Sequence, residues 1–356
     1  MGPASRGAGQ PRRRRRGWRI AAICAAAVVV LAGATVVGGL AVVSNLSGHI
    51  QRIHVAGLDA VQAPGGGPRT AGINILITGA GPERPAESCL DTVPPGIDSS
   101  RFSGLIDVLH INADQRGGGD MEFQPNSVVP VPGVGRTELW YSMLYGGPSL
   151  LVKTLEKLTG LHINYYARVS FKDTASLVDA IGGIDVGTPL GGGKMEAGTL
   201  HLNGEQAVAY VRDGSVSQSV RVARQSALIR AADRKIGQKG LLSNPMTMWR
   251  VLHALTRALT LSSNITTRQI VALAKVLGGV SDREAHFLTV PYRQLSPAEQ
   301  VAIPAPPCEL AGEATNVGQT VFKPSPSRKL FEAASQDALA GWAQQNPRWV
   351  VPGAVP

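Results

Sequence analysis

The chain has 356 residues, of which 35 are Lys or Arg, 25 are Asp or Glu and three are Cys, for a net charge of +10. That length fits one large domain with appendages. The charge does not mark a nucleic-acid surface: seven arginines and no acid precede residue 20, which leaves 28 basic against 25 acidic residues in the remainder, whereas a nucleic-acid-binding domain carries the excess on its own folded surface.

The first element in chain order is Ile20 to Val43, about 24 uncharged residues. As a helix it spans roughly 36 Å, enough to cross a hydrocarbon core of roughly 30 Å with some tilt. Arginines on its near side predict a cytoplasmic N-terminus and an extracytoplasmic remainder. A cleaved signal peptide is the competing reading, with a shorter apolar region, roughly 7–15 residues. The predicted layout is a cytoplasmic Arg-rich tail over 1–19, a single transmembrane helix over 20–43, a juxtamembrane connector over 44–71, an extracytoplasmic domain over 72–300 and a C-terminal extension over 301–356. Cys24 falls inside the span. Cys89 and Cys308 both lie outside the cytoplasm, where a disulfide is permitted, and bridge or separate thiols both stay open. No cysteine or histidine spacing indicates zinc.

Ile73 to Thr78 is an apolar run of strand length, and Leu105 to Ile111 is the next. QRGGG reads as a turn before a strand near Met121 to Val129. A helix opens at Pro148, which lacks the N–H that would be unpaired there, carries Leu151, Leu155 and Leu158 on one face, and stops at Gly160. Ile163 to Ser170 alternates apolar and polar residues and predicts a half-buried strand. A second helix carries Leu177, Val178 and Ile181 and ends at Gly182–Gly183, before a strand at Ile184 to Val186. Asn203 with Gln206, and Thr266 with Gln269, resemble capping boxes. Between them lie a predicted long helix, Val220 to Ile236, and one opened by Pro245 with Met248, Leu252, Leu255 and Leu259 on one face. Ala285 to Tyr292 reads as a strand and Arg328 to Trp342 as an amphipathic helix. Helices alternating with strands predict an α/β protein, an α/β/α sandwich around a central mixed sheet.

The segments YGGPSLLVKTLEKLTGLHINYY, SLVDAIGGIDV and LNGEQAVAYVR, in that order, resemble the LytR–CpsA–Psr family, and the likeness runs from about Gly72 to Gly237. The resemblance implies a membrane-anchored extracytoplasmic protein that transfers polyprenyl-pyrophosphate-linked glycopolymer to peptidoglycan with Mg²⁺, in cell wall biogenesis. It also implies phosphate binding by Arg212, Arg221, Arg224 and Gln225, which fall on the family's arginine-rich segment. Arg221 and Arg224 share a helix face, and guanidinium forks suit phosphate oxygens. An apolar slot for the lipid is expected between the helices at Pro148–Gly160 and Val220–Ile236 and the sheet.

The family's acids are missing. Aligned on His110, the expected Arg-Ser-Asp-Thr falls on Phe102 to Leu105, QPNSVV with Gln124, Pro125, Asn126 and Ser127 replaces Pro-Arg-Asp, and the Lys-x-Asn falls on Glu138 to Trp140. Two acids are candidate relocated ligands, Asp91 in a polar loop and Asp107 within the strand Leu105 to Ile111. For Asp107 the plainer reading is a water-facing or arginine-paired strand residue. His110 is expected to be a packed, hydrogen-bonded core residue. No P-loop and no G-x-S-x-G nucleophile elbow occurs. Two functional readings follow: a Mg²⁺-dependent glycopolymer transferase, or a catalytically degenerate member that binds the lipid-linked ligand or scaffolds envelope assembly. A DNA-binding regulator is excluded by the predicted topology.

Overall fold

The structure is a computed structural model. It describes residues 50–58, 71–80, 105–186, 189–190, 194–195, 200–212, 224, 228, 231–232, 235, 245–279, 285–301 and 318–350. The predicted transmembrane helix, Asp91, Cys89 and Cys308 lie outside these residues. Among the described residues no helix is long and apolar enough to cross a membrane.

In chain order the strands are β1 (Gln51–Ile53), β2 (Ile73–Ala80), β3 (Ile106–Ile111), β4 (Gly118–Glu122), β5 (Val128–Val131), β6 (Gly135–Glu138), β7 (Tyr165–Ser170), β8 (Ile184–Val186), β9 (Pro189–Leu190), β10 (Lys194–Met195), β11 (Leu200–Leu202), β12 (Leu259–Ser262), β13 (Ala285–Thr289), β14 (Tyr292–Gln294) and β15 (Thr320–Phe322). The helices with described bounds are α1 (Tyr141–Thr159), α2 (Phe171–Ala180), α3 (Gly204–Arg212), α4 (Pro245–Ala258), α5 (Thr267–Gly279), α6 (Pro324–Ser335) and α7 (Leu339–Gln345). Seven strands form one mixed sheet in the order β1-β12-β7-β2-β3-β4-β13. β2–β7, β1–β12 and β4–β13 pair parallel, while β2–β3, β3–β4 and β7–β12 pair antiparallel.

Side-chain alternation divides the sheet into two faces. Ile73, Ile75, Ile77, Leu109, Ile111 and Tyr165 point into one apolar cluster, with Leu177 and Val178 of α2, Val251 of α4 and Leu228, Ala231 and Ala232. Leu76, Ile106, Val108, Met121 and Tyr166 point into the other, with Leu151, Val152 and Leu155 of α1 and Leu330, Phe331 and Trp342 of α6 and α7. Helices therefore cover both faces, as the α/β/α expectation requires. Three corrections follow. The strand at Ile163 to Ser170 is not half-buried: Tyr165, Tyr166 and Ala167 are all buried, because both faces are covered. The helices expected to wall one lipid slot lie on opposite faces of the sheet, since Leu151 and Leu155 belong to one cluster and Leu228 and Ala231 to the other. The predicted strand Met121 to Val129 is two, β4 and β5, separated by a turn whose Ser127 N–H donates to the Gln124 carbonyl at 3.0 Å.

Local signals set several boundaries. Gly160 ends α1 at φ 74°, and its N–H donates to the Glu156 carbonyl. Gly147, at φ 62° and ψ −158°, breaks α1, and Pro148 opens the helix again. Both capping boxes form, with Asn203 and Gln206 exchanging bonds of 3.0 and 2.9 Å, and Thr266 and Gln269 bonds of 2.7 and 3.3 Å. Gly118 permits the close crossing of β4 on β3: a Cβ there would sit 2.1 Å from the His110 carbonyl oxygen.

The C-terminal residues are part of the core. The expected single helix Arg328 to Trp342 is two, α6 and α7, broken at Asp337, which adopts φ 55°. The turn aims the Asp337 carboxylate at β3. Its Oδ1 lies 2.9 Å from His110 Nε2, and its Oδ2 accepts the Ala113 N–H at 2.9 Å. His110 Nδ1 lies 2.8 Å from Asn74 Oδ1, whose Nδ2 donates to the His162 carbonyl. Both ring nitrogens thus face oxygen acceptors, an arrangement that the doubly protonated ring satisfies. Burial lowers the His110 pKa, and the hydrogen bond and charge of Asp337 oppose that shift. His110 is a packed, hydrogen-bonded core residue, as expected. Replacing Asp337 by Ala strands His110 Nε2 in the interior and should cost about 2–4 kcal/mol. Arg328→Ala, on an exposed pair with Glu332 at 3.6 Å, should cost under about 0.5 kcal/mol. Urea unfolding midpoints of the two variants check this.

Candidate functional site

β3 and β4 carry three carboxylates on one face. Their register sets Asp107 opposite Glu122 and Leu109 opposite Asp120. Leu109 belongs to the cluster under α2 and α4, so alternation places Asp107, Asp120 and Glu122 on that side of the sheet. Asp107 is only 9% exposed. Its Oδ1 and the Oδ1 of Asp120 are buried without a hydrogen-bond partner among the described residues. Both oxygens of Glu122 are held loosely, by Gln124 Nε2 and by Thr289 Oγ1, each at 3.4 Å.

Desolvation dominates the electrostatics. Burial pushes the Asp107 pKa well above its ordinary value, and the like charges of Asp120 and Glu122 add to it. Burial pushes Asp120 up to about 7. Glu122 also rises to about 7, through burial and then Asp120, against the bonds from Thr289 and Gln124. Three acids that cannot all ionise together share protons at neutral pH. The charge of Glu122 also reaches Tyr292, whose phenol pKa rises through burial first and Glu122 second.

The expected phosphate-binding residues are placed only in part. Arg224 is helical and packs on α3: its Nη1 donates to the Tyr210 carbonyl at 3.1 Å, and its guanidinium lies 4.7 Å from the Tyr210 ring centre. Tyr210 packs against the same cluster as Leu109, so Arg224 and the three acids serve one side of the sheet. Arg212 ends α3, but its side chain, and all of Arg221 and Gln225, lie outside the described residues. Asp107 is buried rather than water-facing, and no described arginine pairs with it. Asp120 and Glu122 were not singled out in the sequence. Their signal was the i, i+2 spacing in Asp120-Met121-Glu122, which puts two acids on one strand face. The positions aligned with the family's Lys-x-Asn hold a packed pair instead: Trp140 Nε1 donates to the buried Glu138 carboxylate at 2.5 Å. Asn126 donates to the Gly318 carbonyl at 2.6 Å. Among the described residues no group of three or more His, Cys, Asp or Glu is arranged to hold a metal ion.

The LytR_cpsA_psr family model matches residues 58–304. The chain belongs to the LytR–CpsA–Psr family. Within it, the chain is 28% identical over 220 residues to the probable cell wall biosynthesis protein LcpB of Corynebacterium glutamicum, a match covering 59% of this chain and 53% of that protein. It is 30% identical over 122 residues to the polyisoprenyl-teichoic acid–peptidoglycan teichoic acid transferase TagU of Bacillus mycoides, covering 33% of this chain and 40% of that one. The matches thus span about half or less of these curated relatives. The fold is that of the LytR-CPS2A-psr family protein YwtF (TagT) with bound octaprenyl pyrophosphate lipid, at a TM-score of 0.51 and 15% identity over 81% of this chain and 99% of that chain. The mixed sheet with helices on both faces is therefore the family's scaffold.

The raised acids predict how stability depends on pH. Folded pKa values above the unfolded ones mean that the native state binds more protons, so stability is greatest below about pH 4 for these groups and falls as pH rises toward 7. For Glu122, rising from 4.5 to about 7, the loss is on the order of 3 kcal/mol. Glu122→Gln should flatten this dependence and raise the melting temperature at pH 8 in chelator, relative to wild type, more than at pH 5. Melting curves at the two pH values measure it.

Proposed function

We propose that the protein is a membrane-anchored glycopolymer transferase of the cell envelope, which binds a polyprenyl-pyrophosphate-linked glycopolymer and passes it to peptidoglycan outside the cytoplasm. The observation that carries this reading is the carboxylate trio on β3 and β4. The chain lacks acids at the positions where the resemblance leads one to expect them, yet it holds three at neighbouring positions on one sheet face, at a cost in desolvation that a solely structural site has no reason to keep. The names of the relatives support the substrate class: TagU is a polyisoprenyl-teichoic acid–peptidoglycan teichoic acid transferase, LcpB a probable cell wall biosynthesis protein, and the YwtF structure contains octaprenyl pyrophosphate.

The orphaned oxygens test the fit of the metal that the family implies. Mg²⁺ is commonly held by one or two carboxylates, with water and substrate phosphates completing its shell. Asp107 Oδ1 and Asp120 Oδ1, buried and unpartnered among the described residues, fit that donor set. Bound there, Mg²⁺ would supply charge neutralisation to the pyrophosphate. The protein's own groups do the rest in this reading. Glu122, balanced near neutrality, takes the proton of the acceptor hydroxyl on a carboxylate oxygen. The freed oxygen bonds to the glycan-linked phosphorus as the bond from phosphorus to the bridging oxygen breaks, and polyprenyl phosphate leaves and receives the proton. Arg212, Arg221, Arg224 and Gln225 bind the phosphates. The lipid slot lies on the face that holds Arg224 and the acids.

Two measurements test this. The full-length chain in detergent, given a synthetic polyprenyl-pyrophosphoryl oligosaccharide, peptidoglycan and Mg²⁺, should release polyprenyl phosphate. Asp107→Asn and Asp120→Asn should each slow release by about a hundredfold. Tight lipid binding without release in the wild type would leave the binding-protein reading in its place. We also propose that Ile20 to Val43 anchors the chain with its N-terminus inside. Protease added to wall-stripped cells should then digest the C-terminal domain, and complete protection of that domain would overturn the topology.

A further inference from the structure

At the end of β13, residues within the matched span and residues after it build a second polar cluster. Val290 N–H donates to the Glu122 carbonyl, and Lys323 N–H to the Pro291 carbonyl. The β14–β15 pairing sets Tyr292 opposite Phe322, so Lys323 follows directly beside Tyr292. An isolated bridge between Leu288 and Val350 brings the last described turn to the same place. There the Trp349 ring lies 5.9 Å from the Tyr292 ring. Lys323 Nζ stands 5.9 Å and the Arg348 guanidinium 5.2 Å from the centre of the Trp349 ring.

Two cations at one aromatic ring are attracted by its π face and repel each other. Neither has an ion pair among the described residues, whereas neighbouring Arg293 is answered by Glu299 at 2.7 Å. Trp349 Nε1 is buried and has no hydrogen-bond partner among the described residues, although a buried indole N–H ordinarily finds one. Lys323 also precedes α6, whose first turn has no side-chain cap and adds a positive dipole end, although Pro324 and Pro326 bring no N–H donor to it. Unanswered positive charge, a free donor and aromatic faces converge on a ligand with both anionic oxygens and a ring or polyol surface. A lipid headgroup offers the charge but places no sugar face against the rings.

We propose that Lys323, Arg348, Trp349 and Tyr292 form a subsite for a phosphate-bearing sugar or polyol unit of the glycopolymer. It rests on the transferase reading only for the identity of that polymer. Tyr292 and Trp349 pack against the cluster on the other face of the sheet from the acids, and the bond from Val290 N–H to the Glu122 carbonyl ties the start of this segment to the end of β4, so a chain whose pyrophosphate lies at the acids would pass round that end of the sheet to reach Trp349.

The test uses the full-length protein in detergent and calorimetric titration with a lipid-free glycerol-phosphate oligomer. A neutral glucan oligomer of equal length and phosphatidylglycerol vesicles serve as the other probes. The phosphate oligomer should bind best, and its affinity should fall with salt. The Lys323→Ala/Arg348→Ala variant, which leaves the packed rings in place, should lose at least about tenfold in affinity. Trp349→Phe keeps a ring, removes the N–H donor and should weaken binding severalfold. Unchanged affinity in the double cation variant, or equal binding of the neutral oligomer, overturns the subsite. Vesicles that bind more tightly and compete assign the cations to a membrane surface instead. Loss of transfer with intact oligomer binding would count against the transferase reading and leave the subsite standing.

Discussion

Desolvation of carboxylates governs this molecule. A strand face covered by helices is the least hospitable place for an anion; β3 puts Asp107 there, and β4 sets the half-buried Asp120 and Glu122 beside it. Each can be tolerated by holding a proton, by meeting a cation or by opening to water. The described residues give Glu122 two long hydrogen bonds and leave one oxygen each of Asp107 and Asp120 unanswered. The ordinary remedy, a well-formed ion pair, is lacking among those residues. Sites with this imbalance are poised for exchange: a proton held only because nothing better is present gives way readily to a ligand that satisfies the oxygens.

The scaffold tolerates wide changes of sequence. The sheet, its two covered faces and its helices superpose on the octaprenyl-pyrophosphate-bound relative at 15% identity, because those features need only apolar residues in the right alternation. Site residues lack that freedom. Glu138 and Trp140 form a buried packed pair, and Asn126 ties the β4–β5 turn to Gly318. Fold likeness alone therefore says little about the site, which is argued from its own groups.

What was legible in the sequence was what is decided within a few residues. The caps at Asn203 and Thr266 and the stop at Gly160 are local geometry, and each formed. Pairing across the chain was not legible. Leu259 continues the helical rhythm of Met248, Leu252 and Leu255, yet it begins β12, because places beside β7 and β1 outweigh propensity there. The break between α6 and α7 carries no Gly or Pro; Asp337 takes a left-handed conformation because its carboxylate is bound at β3. Asp107 was singled out, but its neighbours could not be, since the register that sets it against Glu122 is fixed by contacts outside both strands.

The edge strand β1 has an implication for how the chain acquires its shape. Gln51 lies 209 positions before Thr260, its partner in the neighbouring strand. The first strand among the described residues therefore waits for most of the chain before it can pair. β13, parallel to β4, arrives later still. Both borders of the sheet close late, so folding should be slow by the measure of contact order. Until then the backbone edges of β7 and β4 stand open, where non-native pairing or aggregation can begin.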